Sequence, residues 1–420
     1  MNSRNRILFS VLTFISVEIS AQQVVSKFIS DPKTGFKVWD EYYSPDDSIS
    51  WSGSSKNKMA TGNGTLTWYV HGKEVAKYEG AMLKGKPEGK GKSSDYAGNV
   101  QEGNFMDGAF VGIDDAYFPL LKKNLLTVKD TADLYVNDGA SQQLFYYSLQ
   151  PAKKLKGTVV LIPSTGERAD EAIVATKKLA QLCCDSGLLV IWPSINHHIY
   201  FDQPSHLLLD SVFADVVKRY QAPKDKFFVG GFSLGAMLAL RYTETANDGK
   251  NETVIIPRAV FGADPPVDLA DLHDQFVRDT ARKFSKAGMN EADYYLGEMH
   301  RCFGGAPQQF SANYVSNSIW SRSESDGGNA KFLLHTPLRI YSDPDIDWQM
   351  PQRGGDYYDM NAPDQTAMIS ELIRKGNKQA EYVNALGKGF RPDGTRHPHS
   401  WSIIDPDGFV KWVIQLSIRQ

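Results

Sequence analysis

The sequence predicts an α/β protein: a doubly wound, mostly parallel sheet with a helical cap insertion, preceded by a small N-terminal ribbon of β-hairpins. Three observations carry this. From about residue 118 onward, short apolar runs alternate with amphipathic stretches of helical period, the pattern of strands joined by crossover helices. Between about 45 and 115, glycines recur at a fixed spacing. A block at 268–335, mostly helical in texture, interrupts the alternation after a central strand and reads as a cap over the sheet edge.

The 420 residues exceed one ordinary domain, and the composition is globular, with 41% hydrophobic and 23% charged residues. Net charge is −3 and no long basic run occurs, which argues against a nucleic-acid partner. Arg4 and Arg6 precede an apolar run at 7–17 that is too short to span a bilayer, and Ala21 offers a small-residue cleavage point. Residues 1–22 are therefore expected to be an export signal, and the mature protein periplasmic or extracellular. Cys183, Cys184 and Cys302 form neither a disulfide framework nor a zinc spacing. Small buried thiols are expected, with a bridge from Cys302 to one of the others left open.

In the ribbon, Glu79-Gly80 recurs as Glu102-Gly103, Gly85 as Gly108 and Gly89 as Gly112, each 23 residues on, and a looser copy begins at Trp51. Glycine at fixed offsets suits tight hairpin turns, and the Thr/Leu/Trp/Tyr runs between suit short strands. The aromatic-Glu-Gly pattern resembles MORN repeats over residues 45–115, which implies a ribbon of β-hairpins.

The region 118–420 supplies the main sheet. Strand-like runs occur at 143–150, 157–163, 188–195, 226–232, 258–266, 337–343 and 380–386, with helical periodicity between them and near 408–418. Within the run "FFVGGFSLGAM", Gly231 and Gly235 lie two residues either side of Ser233, where strand becomes helix. A serine at so sharp a turn is forced toward positive φ, and side chains at both flanking positions would collide with the adjoining strand and helix. The hydroxyl is then presented at the carboxyl end of the sheet, and the Leu234 N–H, at a helix N-terminus, points to where a negative oxygen would form.

With the elbow Gly231-Phe232-Ser233-Leu234-Gly235 inside a βαβ series, residues 118–420 resemble the α/β-hydrolase superfamily. The resemblance implies a catalytic Ser233, followed in chain order by an acid and a histidine, with no cofactor required. For the acid, Asp345 stands three residues beyond the strand end in "LRIYSDPDIDW"; Asp347 and Asp343 are the nearest alternatives and Asp264, after the earlier strand, a remoter one. The same aspartates do not make a calcium loop, whose sixth and twelfth positions would be Trp348 and Gly354. For the base, "RHPHSW" offers His399, preferred because "SW" follows it, and His397. The second oxyanion donor is expected after "GTVVLIP", at Thr165 with Ser164 the near alternative. Trp192, Trp320 and Trp348 are candidates to line a substrate cleft, and His197 and His198 fall on another rim loop.

These residues imply an exported serine hydrolase acting on a small or oligomeric ester through an acyl-enzyme. An amidase or peptidase would use the same residues. A reading from a different class is a catalytically idle hydrolase-fold protein whose ribbon contacts a protein, glycan or membrane surface.

Overall fold

The computed structural model describes residues 25–127, 144–194 and 199–418. The expected export signal at 1–22 and the pair His197–His198 lie outside the described residues. Two compact units divide the chain: among the described residues, 25–123 form one, and 124–127 with 144–418 form the other.

The first unit is a β-sheet of β1 (Val25–Ser30), β2 (Lys37–Tyr43), β3 (Asp47–Trp51), β4 (Ser54–Lys56), β5 (Met59–Val70), β6 (Lys73–Leu83), β7 (Lys86–Asp95), β8 (Val100–Met106) and β9 (Ala109–Phe110), ordered β1-β2-β5-β6-β7-β8-β9 with β3 and β4 on β5. Among the described residues, β1 and β2 join this sheet ahead of the glycine-spaced strands and carry none of that spacing. His71-Gly72, Lys84-Gly85 and Asp107-Gly108 each place two successive residues at positive φ, as two-residue turns of the I′ type require. The repeated Glu-Gly has a second cause. Gly64 pairs with Gly80, Gly80 with Gly91, and Gly91 with Gly103, so glycines line up across four strands. The buried ring of Tyr78 lies over Gly80 and Gly91, where a Cβ would overlap it, and Trp51 covers Gly64 in the same way.

The second unit holds a mostly parallel sheet. Its strands are β10 (Leu121–Leu125, where the chain passes between units), β11 (Phe145–Leu149), β12 (Gly157–Ile162), β13 (Leu188–Pro193), β14 (Phe227–Phe232), β15 (Ala259–Ala263), β16 (Leu338–Ser342) and β17 (Ala380–Asn384). They are ordered β10-β11-β13-β12-β14-β15-β16-β17, with β11 antiparallel to β13 and the pairs from β13 through β17 parallel. The helices are α1 (Ala169–Asp185), α2 (Gln203–Tyr220), α3 (Leu234–Asp248), α4 (Leu269–Arg282), α5 (Lys286–Phe303), α6 (Pro307–Asn317), α7 (Ile346–Arg353), α8 (Ala362–Arg374) and α9 (Pro406–Ile418).

Alternate residues of the central strands serve opposite faces, as the pleat dictates. Val160, Ile191, Val229, Val260 and Ile340 pack with α2, α3 and α8, including Val212, Leu238 and Met368. On the other face Trp192 donates its indole N–H to Thr176 of α1 at 2.9 Å, and Phe261 meets Phe409 of α9 at 4.6 Å between ring centres. Both faces are buried, which accounts for strands that read as continuous apolar runs. This is the α/β-hydrolase arrangement. α4, α5 and α6 occupy the block at 268–335. Cys183, Cys184 and Cys302 are free thiols, the first two buried in α1.

Candidate active site

Ser233 sits between β14 and α3 at φ 52° and ψ −123°, with its N–H donated to the Ala263 carbonyl at 2.8 Å. Such a backbone costs a non-glycine residue on the order of 1–3 kcal/mol. The flanking glycines make it sterically attainable. A Cβ on Gly231 would lie 2.5 Å from the Gly235 carbonyl carbon and 2.6 Å from the Ile162 oxygen, and one on Gly235 would overlap the Pro163 and Ile162 carbonyls. Ser233 stays partly exposed, and Leu234 opens α3 behind it.

The strand order puts the other groups around this turn. The crossovers reverse direction between β12 and β14, which is where open α/β sheets bind ligands. On the other side, β15 pairs with β14 so that Ala263 faces Phe232; Asp264 therefore leaves its strand level with Ser233. Asp264 Oδ2 accepts the Nδ1–H of His399 at 2.7 Å. Since a carboxylate only accepts, this bond assigns the proton to Nδ1 and leaves Nε2 as an acceptor. Asp264 Oδ1 is held by Ser342 Oγ–H at 3.1 Å and Gln365 Nε2–H at 2.9 Å, and Asn361 donates to the Asp264 carbonyl at 3.0 Å. Burial alone would raise the Asp264 carboxyl; the bond and charge of His399, with Gln365 and Ser342, outweigh it and hold the group below the usual carboxylate value. Asp264 is itself at φ 50°, a second strained residue that these bonds fix in place.

The acid beside His399 is thus Asp264 and not Asp345, which sequence spacing favoured. Asp345 accepts the Trp348 N–H at 3.0 Å as the N-cap of α7 and pairs with Arg396 Nη2 at 2.6 Å. Buried Asp343 takes the Gly387 and Gly389 N–H groups at 3.0 and 2.8 Å and the same Arg396 Nη2 at 2.8 Å. Asp347 is exposed in the first turn of α7. The two inner aspartates anchor the loop that carries the histidine. His397 is buried, donates Nδ1–H to the His399 carbonyl at 2.8 Å, and is held neutral, pushed down to about 3 by burial and by Arg391 and His399.

Ser233, Leu234, Asp264, His397 and His399 line one cleft of about 160 Å³. Its walls are apolar where α4 and α5 face it, with Phe276 and Tyr295 stacked at 5.3 Å, Leu272 and Met299, and α7 adds Trp348. Charged groups follow: Arg353 bonded to Glu291 at 2.8 Å, and Asp279, pushed up to about 6 by burial and by neighbouring Asp359. Of the three tryptophans proposed for the cleft, only Trp348 lines it. Trp192 is fully buried on β13, and Trp320 is buried with its indole on Glu371 at 2.7 Å.

Thr165 lies buried in the turn after β12, the strand on the other side of β14, and is not among the cleft-lining residues described. Its neighbour Ser164 already donates its N–H to Glu167 Oε2 at 2.9 Å, which removes that amide from oxyanion binding. Glu167, Ser342 and Gln365 escaped the sequence reading. Ser164-Thr165-Gly166-Glu167 does carry a Ser-x-x-Glu spacing that signals reciprocal side-chain and backbone bonding; Ser342 and Gln365 have no local signature.

No family model and no curated protein matches the chain. Solved structures that resemble it are α/β-hydrolase-fold esterases, lipases and peptidases. Among them, a putative esterase from Staphylococcus aureus is 13% identical, covering 70% of this chain and 82% of that one, with a TM-score of 0.41. Carboxyl esterase 2 from Tuber melanosporum is 12% identical, covering 73% and 88%, with a TM-score of 0.43. The acylaminoacyl peptidase of Pyrococcus horikoshii is 10% identical, covering 90% of this chain and 57% of the longer peptidase, with a TM-score of 0.48. All three are distant, and the fold described above rests on the chain's own strand order.

Proposed function

We propose that the protein is a serine hydrolase that cleaves a carboxylic ester, with Ser233 as nucleophile, His399 as general base and Asp264 as the orienting acid. The observation that carries this reading is the 2.7 Å bond from His399 to Asp264, at the mouth of the cleft that Ser233 lines from its strained turn. In the reaction, Nε2 of His399 takes the Ser233 hydroxyl proton as the oxygen attacks the ester carbonyl. The imidazolium that forms is stabilised by Asp264. The Leu234 N–H at the start of α3 and the Thr165 N–H hold the oxyanion, each worth roughly 3 kcal/mol when well aligned. His399 then returns the proton to the leaving alcohol, and water activated by the same Nε2 releases the acyl group from Ser233.

The apolar walls at Phe276, Tyr295, Met299 and Trp348 support a substrate with an uncharged acyl group of modest size. The basic start and short apolar run at 4–17 support export to the periplasm or beyond, and the hairpin ribbon, with its MORN-like spacing, would contact a protein, glycan or membrane surface there. A panel of short-chain aryl esters and aminoacyl anilides tests the reaction class. Ester turnover that falls at least about a thousandfold in Ser233→Ala is expected. Faster anilide turnover would reassign the enzyme as an amidase, and a folded sample inert toward both would refute the reading.

A further inference from the structure

We propose that Glu167 is a positioning residue, a strut that locks the oxyanion turn after β12 to the loop bearing the general base. The inference rests on the serine-hydrolase reading. Glu167 keeps part of its side chain at the surface but turns its carboxyl inward. Oε2 accepts the Ser164 N–H at 2.9 Å, and the Glu167 N–H returns to the Ser164 carbonyl at 3.0 Å, so the turn is closed from both sides. The Trp401 indole N–H reaches Oε1 at 2.9 Å and Oε2 at 3.1 Å. Trp401 stands two residues beyond His399. Its ring meets Phe232 at 5.7 Å, and Phe232 meets His399 at 4.6 Å. One carboxyl group therefore joins the Ser164–Thr165 turn to the histidine loop, and the Trp401 ring carries the contact on to Phe232.

The chemistry of the group suits that task. It has two acceptor oxygens on one rigid plane, and its donors come from Ser164, three positions before it, and from Trp401, 234 positions after it. Its electrostatic neighbours are Glu171 and Asp170 rather than a cation, so burial, with help from these acids, pushes it up to about 8. It acts as a hydrogen-bonding brace between the two donors, not as a proton carrier for the reaction. Losing the brace frees the Ser164 amide and lets the turn shift. A misplacement of about 1 Å at a catalytic donor can cost on the order of a hundredfold in rate. The loss should fall on kcat, because the oxyanion exists only in the transition state.

The test is steady-state hydrolysis of an aryl ester, with rates expressed per site titrated by a fluorophosphonate. Glu167→Ala is expected to lose about 30- to 100-fold in kcat with KM within about threefold. Glu167→Gln keeps an acceptor oxygen and is expected to recover to within about fivefold of the parent. Trp401→Phe removes the indole N–H together with part of the buried ring and should lose about three- to tenfold in kcat. A purely structural role would lower the number of titrated sites while leaving kcat per site unchanged. That result in Glu167→Ala would overturn the inference, as would Glu167→Gln no better than Glu167→Ala. If Glu167→Ala does not fold, an unchanged kcat in Trp401→Phe overturns it. Ser233→Ala is the control: turnover surviving there would sink the hydrolase reading itself, whereas an inert Ser233→Ala beside a normal Glu167→Ala would sink only the strut.

Discussion

At the scale of single residues, the account turns on which aspartate meets His399. Asp264→Asn removes the acceptor that fixes the imidazole tautomer, and kcat is expected to fall by about 10³–10⁴-fold. Asp345→Asn should stay within about threefold in kcat while losing at most about 1 kcal/mol of stability, since Asn keeps the helix cap and gives up only the ion pair with Arg396. Kinetics and denaturant melts on the two variants check both statements; the opposite ranking would return the acid's role to Asp345. The proposed nucleophile and base, Ser233 and His399, each carry a local signature in the sequence, glycines at fixed offsets for one and "HSW" near the C-terminus for the other. The contact of Asp264 with His399 carries no such signature, because it is decided laterally. The partnership depends on Ala263 standing beside Phe232 and on Tyr341 beside Ala263, which ends β16 in Ser342 next to the carboxylate. Pairing between strands more than thirty positions apart leaves no mark within either strand.

At the scale of elements, the repeated glycines and the histidine loop make separate claims. Gly91 faces Gly80 and Gly103 across the ribbon and lies under the Tyr78 ring, so Gly91→Ala should cost about 1–3 kcal/mol through overpacking. Urea titration followed by tryptophan fluorescence, with Trp51 and Trp68 in this core, measures it; an unchanged midpoint would show that the ring has room to move. The turns were legible from glycine spacing. The role of the Glu-Gly glycines as a floor for aromatic rings was not, since it needs the register of four strands. The loop at 385–400 is held by Arg396, which bonds Asp343, Asp345 and the Gly389 carbonyl. Arg396→Met should lower kcat about tenfold with little change in KM, because it loosens the base without touching the cleft walls. A change confined to KM would contradict that role.

At the scale of the whole molecule, buried acids set the pH dependence of stability. Burial pushes Glu244 up to about 8 despite its pairing with Arg241, and Glu167 rises to a similar value. A carboxyl raised in the folded state stabilises fully below its unfolded value, near 4.5, and loses that contribution as pH rises through about 8. Glu167→Gln and Glu244→Gln should therefore gain in thermal midpoint relative to the parent as pH goes from 5 to about 8.5. Midpoint differences that stay constant over that range would contradict the assignment. At this scale the fold class was legible from the alternation of apolar runs and helical stretches, and the cap from its interruption. The strand order was inferable only from the rules of crossover connection, and the side of the sheet each tryptophan occupies was not, because Trp192 and Trp348 are equally apolar and differ only in what packs against them.

The most direct measurement is intact-mass and peptide analysis after treatment of the full chain with a fluorophosphonate. The account predicts one adduct per chain, on the peptide containing Ser233, formed at a rate that collapses in Asp264→Asn and in variants of His399. A folded protein that takes up no label, or one labelled at a different residue, would contradict it.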